Sequence, residues 1–228
     1  MTENEKVEKD QGQGISRRTL IAGVGGVAAL TAVGALRFVP QDPLVRPPGG
    51  QDFARLVGAC IKCEKCIEAC PRQIIAAAHI EDGIIGMRTP VLKFDKDWCN
   101  WCAEENDGKP LCVEVCPTGA LALPEGATRD NLILGIAQLD PGTCLAYMDL
   151  SCRYCYDACE YDAIVLDADM RPSVVNDKCI GCGECETACV VFQNASISAD
   201  AVERSIVVRA LDEQGNIVNG LPGGGAVS

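Results

Sequence analysis

Sixteen cysteines in 228 residues constrain any fold of this chain more than anything else in it. They fall into four groups of four with none left over: Cys60, Cys63, Cys66 and Cys70; Cys99, Cys102, Cys112 and Cys116; Cys144, Cys152, Cys155 and Cys159; Cys179, Cys182, Cys185 and Cys189. In groups one and four the successive cysteines are separated by two, two and three residues. Group two has nine residues between Cys102 and Cys112, and group three has seven between Cys144 and Cys152. Those insertions lengthen a loop without disturbing the flanking pairs. A loop with two residues between cysteines points three sulfurs at one centre, and a fourth cysteine one helical turn later reaches a neighbouring centre. This is the ligand pattern of [4Fe-4S] clusters, and four complete groups predict four of them.

Aromatic residues make up only 4% of the chain, so a conventional core of bulky side chains is not expected and the cysteines are its staples. An even cysteine count also permits disulfides in an exported chain, and Cys-x-x-Cys halves suit zinc, so a structural module held by either is the alternative from a different class. The repeated two-two-three spacing favours iron-sulfur. The formal charge of -12 argues against nucleic acid as a partner. Each oxidised cluster on four thiolates would add about -2, and the resulting surface suits a basic face on a redox partner.

Along the chain, residues 1–15 are polar and are expected to be disordered. Ser16-Arg17-Arg18-Thr19-Leu20-Ile21 then opens an apolar, Gly- and Ala-rich run to Leu36, which reads as a twin-arginine export signal. Such a flank also suits a membrane anchor, but the run is at the short limit for a span and is diluted by Gly23, Gly25, Gly26 and Gly34. Residues 41–51, rich in proline and glycine, are expected to link this export region (1–40) to a folded body (52–212), with a flexible tail at 213–228. Within the body each cysteine group is followed by an apolar run, and groups two to four are preceded by one: Val91 to Asp95, Ile136 to Asp140 and Ser173 to Asn176. The expected fold is α+β, with four strand, ligand-loop, short-helix and strand repeats forming two ferredoxin-like two-cluster modules.

Within a module each motif gives three ligands to one cluster and its fourth to the other. Pairing is either nested (one with four, two with three) or tandem (one with two, three with four), and the sequence separations are compatible with both. Pro71 and Pro117 follow the last cysteines of groups one and two, where groups three and four have Glu160 and Val190, which predicts unequal shielding and potentials. Trp98, Trp101, Tyr154 and Tyr156 flank ligands and are expected to cover the clusters from water. His79, the sole histidine, is read as structural, and no Cys-x-x-Cys-His haem motif is present. No nucleophile-base constellation or phosphate loop stands out. The chain is read as an electron carrier with no catalytic residues, not as an enzyme.

The order of these motifs resembles the MauM/NapG family of ferredoxin-type proteins: the paired arginines, Cys60-Ile-Lys-Cys-Glu-Lys-Cys, Ala-Cys-Pro-Arg, His79-Ile-Glu-Asp-Gly-Ile-Ile-Gly, Val-Glu-Val-Cys-Pro-Thr-Gly-Ala-Leu, Cys144-Leu-Ala-Tyr, Cys155-Tyr-Asp-Ala-Cys and Cys182-Gly-Glu-Cys-Glu. The resemblance implies a periplasmic or extracytoplasmic protein of anaerobic respiration, exported by the twin-arginine machinery and tethered if its signal is kept. It would take electrons from a membrane quinol dehydrogenase, itself an iron-sulfur protein. Its acceptor would be a molybdenum reductase, such as a nitrate reductase, or a cytochrome c. More distantly the layout is similar to the four-cluster subunits of molybdopterin oxidoreductases. That similarity implies nested pairing and, as an alternative role, a tightly bound subunit of such an enzyme.

Overall fold

The computed structural model describes residues 44–191 and 203–212, with 215 and 217, and, near the N-terminus, 17–18, 23–27 and 30–31. The chain divides into two compact units, Met1–Val39 and Pro40–Ser228. In the first, Arg17 and Arg18 are helical and exposed. The rest of the twin-arginine stretch, most of its apolar run and residues 1–15 lie outside the described residues. Among the described residues no helix is long and apolar enough to cross a membrane.

The second unit is built from very short elements. The helices are α1 (Phe53–Ala59), α2 (Lys65–Glu68), α3 (Leu111–Glu114), α4 (Tyr154–Ala158) and α5 (Glu184–Ala188). The strands are β1 (Ile75–Ala77), β2 (Pro90–Leu92), β3 (Ile136–Leu139), β4 (Ile164–Leu166), β5 (Pro172–Val174) and β6 (Ile206–Arg209). Helices of four or five residues have no stability of their own in water, because nucleation costs more than one or two hydrogen bonds return. Only α1 carries a side-chain cap, Asp52 accepting from the amide of Arg55 at 2.9 Å. The others are held by what surrounds them. The buried core is accordingly a mixture of small aliphatics and thiols: Ile74, Ile75, Leu92, Phe94, Ile136, Ile164, Val191 and Ile206 together with Cys112, Cys155, Cys179, Cys185 and Cys189.

Three two-stranded antiparallel sheets tie the elements in a recurring way. β1, after group one, pairs with β2, before group two, in the register Ile75↔Leu92. β4, after group three, pairs with β5, before group four, with Ile164↔Val174. β3 and β6, which enclose groups three and four, pair with Leu139↔Ile206. The stretch enclosing groups one and two has no such strands. Thr118 to Leu123, the run after group two where the repeat calls for a strand, forms turns and bends, and it meets the proline-rich stretch through a single amide, Ala122 donating to Gly49 O at 3.2 Å. Pro47 and Pro48 have no N–H to offer a ladder. The Arg55 guanidinium replaces the missing rungs, donating to Gly49 O at 2.7 Å and Ala122 O at 2.9 Å.

The stretch expected as a linker therefore belongs to the body from Val45 onward. Arg46 to Gly50 are buried, and the Arg46 guanidinium donates to Thr89 Oγ1 at 2.7 Å and Pro90 O at 2.9 Å. Burial of that guanidinium depresses its pKa to about 10. At the other end, Ile217 bridges Leu211 and packs on the core. Most of the tail, and the apolar run at 194–198, lie outside the described residues.

Candidate functional site

The sixteen thiols gather into four sets, and each set takes three sulfurs from one group and the fourth from another. Cys60, Cys63 and Cys66 line a small cavity with Cys116. Cys99, Cys102 and Cys112 line another with Cys70. Cys179, Cys182 and Cys185 line a third with Cys159. In the remaining set the charges of Cys144, Cys152 and Cys189 bear on Cys155. These are called sites one, two, four and three, after the group that supplies three ligands. The nested expectation is thereby corrected: groups one and two exchange their fourth cysteines, as do groups three and four. The physical reason lies in which helices meet, since α2 packs on α3 and α4 on α5. Each of these helices carries a cysteine of one set, Cys66, Cys112, Cys155 or Cys185, and the cysteine four residues later, at or just past the helix end, joins the other set.

The ligand loops are shaped by left-handed residues. Lys62 and Glu64 in group one have φ of 59° and 64°, and Gly181 and Gly183 at the matching places in group four have 72° and 87°. These turns aim successive sulfurs inward. Backbone amides then point at several sulfurs: Leu121 at Cys116 Sγ, Ala137 at Cys179 Sγ and Ala163 at Cys159 Sγ, each at 3.4 Å. Burial pushes the thiols of Cys99, Cys155 and Cys182 up to about 12 and that of Cys66 to about 11, and raises Cys112 and Cys185 as well. Cys116 runs the other way. Burial works against its thiolate, but the amides of Leu121, Thr118 and Ala120 and the Thr118 hydroxyl outweigh it and hold the thiol below its ordinary value.

All sixteen cysteines are free thiols. Among the described residues no three His, Cys, Asp or Glu side chains converge tightly enough to hold a single metal ion. A tetrahedral zinc, with sulfurs at about 2.3 Å, demands that convergence. In three of the sets the sulfurs instead ring a cavity of low polarity, and such a donor set fits a [4Fe-4S] cube whose four corners each take one thiolate. Binding would release the protons that burial keeps on these thiols and would add directly to folding free energy.

The surroundings of the sites differ from the sequence reading in several places. Trp101 is buried and lines site two, as expected, whereas Trp98 lies beneath the Arg72 guanidinium at 4.9 Å. Tyr154 and Tyr156 do not cover site three; they are 58% and 41% exposed. His79 is exposed, its amide donating to Asp82 Oδ2 at 2.8 Å. Arg72 was not singled out, yet it pins the insertion of group two through Glu104 and Glu105 at 3.1 and 3.2 Å and ties it to Asp97, ahead of Cys99, at 3.4 Å. Its place directly behind Cys70-Pro71, facing the acidic Glu104-Glu105 insertion, was the available signal. The insertion of group three folds into a 3-10 turn, Leu145–Met148, with Leu145 and Ala146 buried. Glu160, standing where group one has proline, is ion-paired with Arg129.

A family model described as a 4Fe-4S dicluster domain matches residues 59–120, which hold groups one and two, and 150–192, which hold groups three and four except Cys144. Ferredoxin-type protein NapG of Escherichia coli K12 is 31% identical over 194 residues, 78% of this chain and 81% of its own. Methylamine utilization ferredoxin-type protein MauM of Methylobacillus flagellatus is 33% identical over 191 residues, 79% of this chain and 78% of its own. Ferredoxin-type protein NapF of E. coli is 30% identical over 151 residues, covering 64% and 80%.

Proposed function

The chain belongs to the NapG/MauM family of ferredoxin-type, electron-transfer iron-sulfur proteins, and from that premise we propose that it carries four [4Fe-4S] clusters in two ferredoxin-like modules and links a membrane quinol dehydrogenase to an exported reductase. The observation that carries the reading is the division of sixteen thiols into four sets, each completed by a cysteine from the paired group. When bound, such a cluster supplies a one-electron couple.

The chain's own residues do the rest. The first three cysteines of each group and the last cysteine of its paired group would hold the iron, and the amides on Cys116, Cys159 and Cys179 would favour the reduced, more negative state of the sites they serve. Trp101, Pro48, Ile74 and Leu92 keep water from site two. Because Cys63 is exposed while Cys185 and Cys189 are buried, the sites should differ in potential. The Arg17-Arg18 pair supports export of the loaded protein by the twin-arginine route to a periplasmic or extracytoplasmic location.

Iron and acid-labile sulfide of the anaerobically purified chain should each reach about 16 per molecule. Near-zero iron with tightly held zinc would overturn the assignment. Arg17→Lys with Arg18→Lys should leave iron loading intact and keep the protein inside the cell, and normal export would refute the signal.

A further inference from the structure

The four sites are not equivalent in position. Sites one and two share helices α2 and α3, and sites three and four share α4 and α5. The join between the pairs is made by sites two and four: the Cys99 amide donates to Cys182 O at 2.9 Å. Around that join, Thr187 and Arg204 both donate to Phe94 O, at 3.2 and 2.6 Å. Sites two and four are thus interior, and sites one and three are the ends.

Among the described residues beyond residue 44, the large apolar side chains left exposed follow the same division. They fall in the stretches 53–85 and 148–170, beside sites one and three, with Ile133 alone between them. At site three Met148, Leu150, Tyr154 and Tyr156 are 41, 57, 58 and 41% exposed and bracket the ligands Cys152 and Cys155. The two ends differ in charge. From Cys60 to Lys93 there are five Lys and Arg against four Asp and Glu, whereas from Tyr147 to Arg171 there are two Arg against six Asp and Glu. Arg153 pairs with Asp157 at 3.0 Å, Arg171 with Asp149 at 3.5 Å, and Glu160 with Arg129, so the excess at this end is carried by Asp162, Asp167 and Asp169.

We propose that Met148 to Tyr156 is the docking face for a one-electron redox protein whose own face is apolar at its centre and rimmed by lysine or arginine. The inference rests on the electron-transfer reading and names the end of the molecule, and the partner chemistry, through which transfer takes place. Exposed apolar side chains beside a terminal site supply the desolvated centre of such an interface, and the surrounding carboxylates steer a basic rim. A second copy of this chain is a poor occupant, because the same excess of carboxylates would face itself. One electron passes from the reduced protein to the oxidised partner, with no bond made or broken and no proton moved.

The test uses the full, cluster-loaded chain, reduced with dithionite, and a lysine-rimmed ferric c-type cytochrome as probe. Stopped-flow transfer should slow on the order of tenfold between low and high salt. Leu150→Lys with Tyr154→Lys should cost at least about tenfold in the second-order rate, while Ile84→Lys with Ile85→Lys at the other end should change it by less than about twofold. Carbodiimide cross-linking of the unsubstituted pair, mapped by mass spectrometry, should join probe lysines to carboxylates between Asp149 and Asp169. Cross-links centred on residues 60–93, equal slowing by both pairs of substitutions, or salt-independent transfer would overturn the docking face. So would a concentration-dependent dimer that Leu150→Lys disperses. A chain without reducible iron would instead bring down the electron-transfer reading itself.

Discussion

The ligand loops Cys60 to Cys66 and Cys179 to Cys185 have the same cysteine spacing and the same left-handed turns, yet they live in opposite surroundings. Ile61 is 64% exposed and its counterpart Ile180 is 8% exposed. A Cβ on Gly181 would stand 2.3 Å from Gly135 O, and one on Gly183 would stand 2.1 Å from the Phe94 ring. At the matching places the first loop has Lys62 and Glu64, both exposed, with Glu64 paired to Arg88 at 2.5 Å. The turn demands a positive φ in both loops, but only the loop that another part of the body covers demands glycine. Between these two loops, glycine marks the covered one and charged residues the open one.

Removing the iron tests this contrast most severely. Anaerobic chelation should cost most of the helical circular dichroism, because helices this short depend on their ligands. Amide exchange should rise first in Cys60 to Cys66, and Cys179 to Cys185, held by Phe94 and Gly135, should retain protection longer. Next in size, Gly183→Glu forces a side chain into the Phe94 ring in a left-handed turn and should cost about 3 kcal/mol or more, seen as failure to accumulate loaded protein. Arg204→Ala removes the donor shared by Phe94 O, Asp95 O and Glu186 O and should cost about 2–3 kcal/mol in denaturant unfolding. Arg72→Ala frees the group-two insertion and should cost about 1 kcal/mol, its ion pairs lying partly in water, with faster alkylation of Cys102 in the iron-free chain. The smallest effect belongs to Glu64→Gly, expected within about 1 kcal/mol of the parent, since relief of the strained turn offsets the added freedom of the unfolded chain. A large loss there would break the contrast.

Much of the site is written locally. Spacing alone groups Cys60, Cys63 and Cys66 as ligands of one centre, and it places Cys70 at another. It does not say which. That choice depends on α2 meeting α3, a contact between segments more than forty residues apart, and similarity to a nested family pointed the wrong way. The proline-rich stretch was misread for a related reason: Pro47, Pro48, Gly49 and Gly50 have the composition of a linker, and only Thr89, Pro90 and Ala122, distant in sequence, make it part of the body. Tyr154 and Tyr156 flank Cys155 as Trp101 follows Cys99, but neighbours in sequence within a short helix point to different faces, and the tyrosines face outward. Gly181 and Gly183 did carry the missing information, as the only two glycines within the ligand loops of groups one and four.

The central claim, that each pair of adjacent motifs completes the other's site, comes down to Cys70. Electron paramagnetic resonance of the reduced protein should show Cys70→Ser altering the same cluster signal that Cys102→Ser alters and leaving the signal assigned through Cys185→Ser untouched. A Cys70→Ser spectrum that instead loses or shifts the Cys185-dependent signal would contradict the tandem arrangement and restore the nested one.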